Sequence, residues 1–206
     1  MKLYEMAKAP NPRRVRMFLA EKGLLDEVTC IEIDLAKGEN LSTDFSAKNP
    51  MNKVPVLELD DGTCISETTA ICRYFEEEHY PDSPKLLGND ANEKAIIEQW
   101  TRWVDFYLFL PIGMGFQHTT DYFAHRMNPI KEWGESNIEQ AMKFFDFLDN
   151  HLKDHDYIAC GRLTAADINA FCSVDFGKVV NLRVNESHPH LKHWYERIKA
   201  RPSAAV

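Results

Sequence analysis

Lys53-Val54-Pro55-Val56-Leu57-Glu58-Leu59-Asp60-Asp61-Gly62-Thr63-Cys64-Ile65-Ser66-Glu67-Thr68 is the stretch on which the fold turns. Two short apolar runs, residues 54–59 and 64–65, flank Asp60-Asp61-Gly62-Thr63, a turn-forming group that predicts a hairpin. Ser66 follows as an N-cap candidate for a helix through Ile71, Tyr74 and Phe75. Upstream, residues 3–6 read as a first strand. Asn11-Pro12 then opens a helix, with Asn as N-cap and Pro at the first helical position. Val15, Phe18 and Leu19 give that helix an apolar face, and Gly23 ends it. Residues 28–33 are rich in β-branched side chains and read as a second strand. Residues 35–50 are polar and read as irregular, with Asn49-Pro50 as a turn signal. The order is therefore βαβ followed by ββα.

Beyond residue 85 the strand pattern disappears. Pro84 and the polar residues 88–92 read as a linker. Ile96, Ile97, Trp100, Trp103, Val104 and Tyr107 recur at helical spacing up to Pro111. A second helix carries Ile138, Met142, Phe145, Leu148 and Leu152. A third opens at Thr164-Ala165-Ala166-Asp167, a variant of the capping box, and a last one carries Leu191, Trp194, Tyr195 and Ile198. The expected organisation is an α/β domain over residues 1–80 and an all-α bundle domain over 88–206.

Composition narrows the function. A 206-residue chain that is 44% hydrophobic and 27% charged has the balance of a folded globular protein. With 24 basic and 32 acidic residues its net charge is -8, which argues against nucleic acid as a partner. No apolar run approaches the ~18 residues of a membrane span, and the first residues lack a signal-peptide pattern. Five cysteines without a CxxC spacing suit reduced thiols rather than disulfides or a zinc site. The expectation is a cytoplasmic protein with no metal.

Four segments carry a resemblance to the cytosolic glutathione transferases of bacterial type. They are Ala9-Pro10-Asn11-Pro12-Arg13-Arg14-Val15, Lys53-Val54-Pro55-Val56-Leu57, Ser66-Glu67-Thr68-Thr69-Ala70-Ile71 and Thr164-Ala165-Ala166-Asp167-Ile168. The resemblance spans essentially the whole chain and implies a thioredoxin-like first domain followed by a helical one. It further implies glutathione as co-substrate, a small hydrophobic electrophile held between the domains, a role in detoxification and a homodimer. By resemblance the Val54-Pro55 bond is cis, so that the Val54 backbone can pair with glutathione as an added strand would. Thr68 then holds the γ-glutamyl carboxylate and Glu67 the ammonium group of the same unit. Lys53, by motif position, and Lys37, by loop placement, are the candidates for the glycine carboxylate.

The family's chemistry is activation of a thiol whose reference pKa is ~8.5. Many members place a hydroxyl or thiol between the first strand and helix. Here the position before Pro10 is Ala9, Tyr4 comes too early, and no Cys precedes Cys30. Asn11 is the remaining polar candidate, as a thiol contact through its NH₂, as an N-cap through its oxygen, or as both. Arg13, Arg14 and Arg16 read as surface cations. Tyr107 and Phe116 are assigned to the wall of an apolar electrophile pocket. His188, His190 and His193 read as surface residues, and His151 with His155 as a solvated helix end. Two alternatives stay open beside the transferase: a glutathione-dependent disulfide or peroxide reductase, and a non-catalytic binding protein that has lost the activating hydroxyl.

Overall fold

The computed structural model describes residues 1–79, 83–123 and 125–206, and the chain divides into two compact units. The first unit is Met1–Leu86 together with Pro202–Val206, and the second is Leu87–Arg201. Tyr80, the expected end of the first domain, lies outside the described residues.

In the first unit, β1 (Lys2–Glu5), α1 (Pro10–Lys22) and β2 (Thr29–Glu32) form the βαβ half, with β1 and β2 parallel. A short helix α2 (Thr43–Lys48) precedes β3 (Val56–Glu58), β4 (Cys64–Ser66) and α3 (Thr68–Tyr74). The sheet order is β2-β1-β3-β4, with β3 antiparallel to both neighbours. This is the expected mixed α/β arrangement. The two-residue period of the strands sorts the core into two layers. Tyr4 and Val56 join Phe45 of α2 and Val54 on one face. Leu3 and Leu57, fully buried, point to the other, and there α1 packs on α3.

Four local expectations change. Residues 35–50 are not irregular, because Ser42 caps α2 by accepting a hydrogen bond from the Phe45 amide at 3.2 Å. Ala9, not Asn11, holds the N-cap position of α1, with Pro10 as the first helical residue and no side-chain cap. Ser66 ends β4 rather than capping α3, and that cap position falls to Glu67. Arg14 and Arg16 are buried rather than surface cations.

The second unit is all helical: α4 (Ala91–Val104), α5 (Leu110–Thr119), α6 (Lys131–Leu152), α7 (Ala165–Phe176) and α8 (Pro189–Lys199). Asp90 caps α4 through the Glu93 amide at 2.9 Å. Pro111 does not end a helix as its sequence context predicts. A π-helical turn at Asp105–Phe109 leads from α4 into α5 and places Pro111 in the first turn of α5. There a missing N–H breaks no ladder. Among the described residues no helix is long and apolar enough to cross a membrane.

Candidate functional site

Strand register brings the separated motifs to one end of the sheet. Val56 pairs with Ser66 and with Tyr4, both antiparallel. Residues 54–55 therefore enter β3 beside the exit of β4 into Glu67-Thr68, and beside the exit of β1 into the loop that carries Ala9 and Asn11. The Val54–Pro55 bond is cis, and both residues are buried. Among the described residues the Val54 N–H and C=O take part in no hydrogen bond. Two strong backbone groups thus stand unused next to a strand edge, which is costly unless water or a ligand satisfies them.

The loop from β1 to α1 is held by its own side-chain clamp. Glu32 Oε2 accepts the Ala7 amide at 3.0 Å, and Arg16 Nη2 donates to the Ala7 carbonyl at 2.7 Å. Arg16 also pairs with buried Glu5. That clamp is absent from the sequence reading, because nothing in the spacing of three charged residues says that they meet beneath one loop. In the first turn of α1, Pro10 and Pro12 have no N–H, and the Arg13 amide bonds back to the Ala9 carbonyl at 3.3 Å. The Asn11 N–H is therefore the one free main-chain donor of that turn among the described residues. Its side-chain Oδ1 is buried without a hydrogen-bond partner. A group in that condition asks for an explanation.

At the start of α3, Glu67 has φ 72° and ψ 122°. For a long side chain that region costs on the order of 1–3 kcal/mol, and such residues cluster at binding sites. The Thr68 hydroxyl and N–H form no hydrogen bond among the described residues. The two lysines separate. Lys37 sits in an exposed turn and pairs with Asp34 at 3.1 Å, where the Asp34 hydrogen bond raises its pKa. Asp34 also accepts the Ala36 and Lys37 amides, which hold its carboxyl below the usual range. Lys53 is exposed, directly precedes Val54, and its ammonium has no partner among the described residues.

In the second unit, the structure does not bring Tyr107 and Phe116 together. Tyr107 lies in the π-helical turn, and Phe116 nine residues further on in α5. Tyr107 stacks on Phe144 with centroids 6.3 Å apart, in a group that continues to Phe147, Trp103 and Trp100. Phe116 packs on Tyr122, Phe123 and Phe176 at 5.3, 5.8 and 6.3 Å. Tyr107 and Phe116 thus belong to two different aromatic groups among the described residues. His151 is not a solvated helix end. It lies 4.3 Å from Trp100 and stacks on His155 at 4.2 Å, and burial lowers its pKa, assisted by His155. His188 faces Asp146 at 2.9 Å.

Comparison with known proteins gives matches along both units. Residues 9–78 match the family Glutathione S-transferase, N-terminal domain, and residues 107–202 match Glutathione S-transferase, C-terminal domain. Glutathione S-transferase 2 of Saccharomyces cerevisiae is 36% identical over 205 residues, covering 98% of this chain and 87% of that protein. The solved structure of Gtt2 from Saccharomyces cerevisiae superposes with a TM-score of 0.94 at 35% identity, over 100% of this chain and 99% of that one. A glutathione S-transferase domain-containing protein of Marinobacter aquaeolei gives 0.93 at 36%, over 98% and 99%. A sheet end assembled from a cis-proline strand start and two helix openings, together with these matches along both units, makes the chain a member of the glutathione S-transferase family.

Proposed function

We propose that the protein is a glutathione transferase, an enzyme that binds glutathione at the end of the sheet and presents its thiolate to a small apolar electrophile. The observation that carries this reading is the convergence of unbonded polar groups there: the Val54 peptide groups, Thr68, and the Asn11 amide. Glutathione matches them in chemistry. Its cysteinyl main chain pairs with Val54 as one more strand residue. Thr68 takes the γ-glutamyl carboxylate, Glu67 its ammonium, and Lys53 the glycine carboxylate. Lys37 is the weaker candidate for that last contact, since Asp34 already neutralises it.

The thiol then lies at the opening of α1, where Ala9 supplies no hydroxyl. Asn11 offers a main-chain N–H and a side-chain amide from the same residue, two neutral donors to a developing thiolate. The proton leaves to solvent, and the sulfur lone pair forms the bond to the electrophilic carbon. That carbon either releases its leaving group as an anion with the bonding pair or, in an addition, passes a π pair to the adjoining atom, which then takes a proton from solvent. In the helical unit, Phe116 and Tyr107 are the candidates for the apolar surface offered to the electrophile, and the aromatic group that Tyr107 shares with Phe144 and Phe147 extends to a second surface. That second surface suits self-association. Phe106, Tyr107 and Phe147 are about half exposed, an apolar concentration that isolated soluble proteins seldom leave open, and we assign it to a homodimer contact. Five free cysteines suit a reducing cytosol.

The test is an ultraviolet difference titration of bound glutathione against pH. The expected result is a thiolate band with a midpoint about one to two units below the free thiol's ~8.5. Asn11→Ala should return about half or more of that shift and lower kcat/KM about tenfold. A saturated complex with an unshifted thiol supports the binding-protein alternative, and absence of binding overturns the reading.

A further inference from the structure

The residues just before the cis bond are held by a small lattice of amide side chains that the sheet and its hydrogen bonds do not require. Asn49, only 2% exposed, sits at the end of α2 and bonds back through its amide to the Phe45 carbonyl at 2.9 Å. Its side chain works in both directions. Oδ1 accepts the Met51 amide at 3.0 Å, and Nδ2 donates to the Lys53 carbonyl at 2.8 Å. Asn52, in the left-handed region at φ 55°, donates its amide to the Asn49 carbonyl at 2.9 Å. The Asn52 carbonyl accepts from Asn40 Nδ2 at 2.8 Å, and its Oδ1 accepts from Ser46 Oγ at 2.8 Å.

One of these bonds has a consequence for recognition. The Lys53 carbonyl and the Val54 N–H belong to the same planar peptide unit and point in opposite directions. Tying the carbonyl to Asn49 Nδ2 therefore sets the direction of the Val54 N–H. On the reading of the site given above, on which this inference rests, we propose that Asn49 is a positioning residue for glutathione binding. It holds the Lys53–Val54 peptide plane in the orientation that receives the cysteinyl unit and the glycine carboxylate. Without that bond the plane is free to rotate between two flanking single bonds, and the ligand has to order it on binding.

Asn49→Asp is the informative variant. It keeps the acceptor for the Met51 amide and replaces the donor to Lys53 with a second acceptor that repels that carbonyl. The expected result is a KM for glutathione raised about tenfold, with kcat within about twofold and an unchanged midpoint for the bound thiol. Asn49→Ala should show the same split. Asn40→Ala removes the neighbouring bond to Asn52 without touching Lys53, and should leave KM within about twofold. Asn49→Asp combined with Lys53→Met should cost less than the two separate losses multiplied, whereas combination with Glu67→Gln should multiply. An unchanged KM in a cooperatively folded Asn49→Asp protein overturns the proposal. So does a loss that falls equally on kcat and KM, follows thermal stability, or is reproduced by Asn40→Ala. If both Asn49 variants fail to fold while Asn40→Ala folds and shifts KM tenfold, the residue is structural and the proposal falls. Wild-type protein that binds no glutathione in the direct titration removes the functional reading itself. Wild-type binding with unaffected variants removes only the role of Asn49.

Discussion

Cys30 lies on the edge strand β2 and is exposed as a residue, yet its thiol is pushed up to about 11 by partial burial and by the neighbouring Glu5 carboxylate. A thiol in that state stays protonated at neutral pH, and only the thiolate is nucleophilic. Alkylation by iodoacetamide, followed residue by residue in a mass spectrometer, should leave Cys30 largely unmodified at pH 8 and accelerate steeply above pH 10. Glu5→Gln, which removes a charge but keeps the shape, should make the residue react about tenfold faster at pH 8. Equal rates in the two proteins would refute the role of Glu5. Asn11 makes the complementary point at the same scale. The sequence suggests two roles for one amide, and the structure withdraws one of them, since Ala9 holds the cap position and Asn11 Oδ1 has no donor.

The opening of α7 is where an element rests on one side chain. Thr164 and Asp167 form the capping box expected from the sequence, but Asp167 does more than cap. Oδ2 accepts the Thr164 amide at 3.0 Å and its hydroxyl at 3.1 Å, while Oδ1 accepts the Ile158 amide at 2.9 Å and Trp194 Nε1 at 3.1 Å. One carboxyl thus joins α7, α8 and the chain before α7. Asp167→Ala strands these donors in a buried site and should cost about 3 kcal/mol or more in urea denaturation. Burial raises the Asp167 carboxyl to about 6, against the pull of the donors. A folded pKa above the unfolded ~3.9 means that the proton-linked contribution is complete below ~3.9 and is lost as pH rises through about 6. The stability of the wild type relative to Asp167→Asn should therefore fall between pH 4 and pH 7, by on the order of 2 kcal/mol. A constant difference across that range would show that the hydrogen bonds outweigh burial. At α5 the π-helical turn before Pro111 is what lets the helical path continue.

For the molecule as a whole, the exposed aromatic surface on the helical unit makes a prediction about size. Light scattering should give twice the 23.8 kDa chain mass. Phe147→Glu, which places a charge in the group formed with Trp100, Trp103 and Phe144, should shift the protein to a single chain mass at micromolar concentration. A monomeric wild type would withdraw the self-association assignment. At this scale most of the fold is legible in the sequence. The period-two runs around Asp60-Asp61-Gly62-Thr63 and the 3.6-residue periods after residue 85 each concern neighbours along the chain, so local composition was enough to order the elements. Pro202–Val206 was not legible as part of the first unit. There Ser203 bonds Glu21 and the Ala204 carbonyl accepts from Arg13, contacts nearly two hundred residues apart with no local signature.

What the sequence determined by itself is the order of elements and the place of the cis-proline, Glu67-Thr68 and Asn11 segments, because turn residues, caps and apolar period act over a few residues. Tertiary structure alone decided what those segments do together. Strand register brought three of them to one sheet end, packing set Tyr107 and Phe116 in different aromatic groups, and chain closure placed Asn49 under the Lys53 carbonyl and Arg16 under the Ala7 loop. The reason is physical: a side chain's partners are set by where distant backbone passes, and that follows from burying the whole core at once.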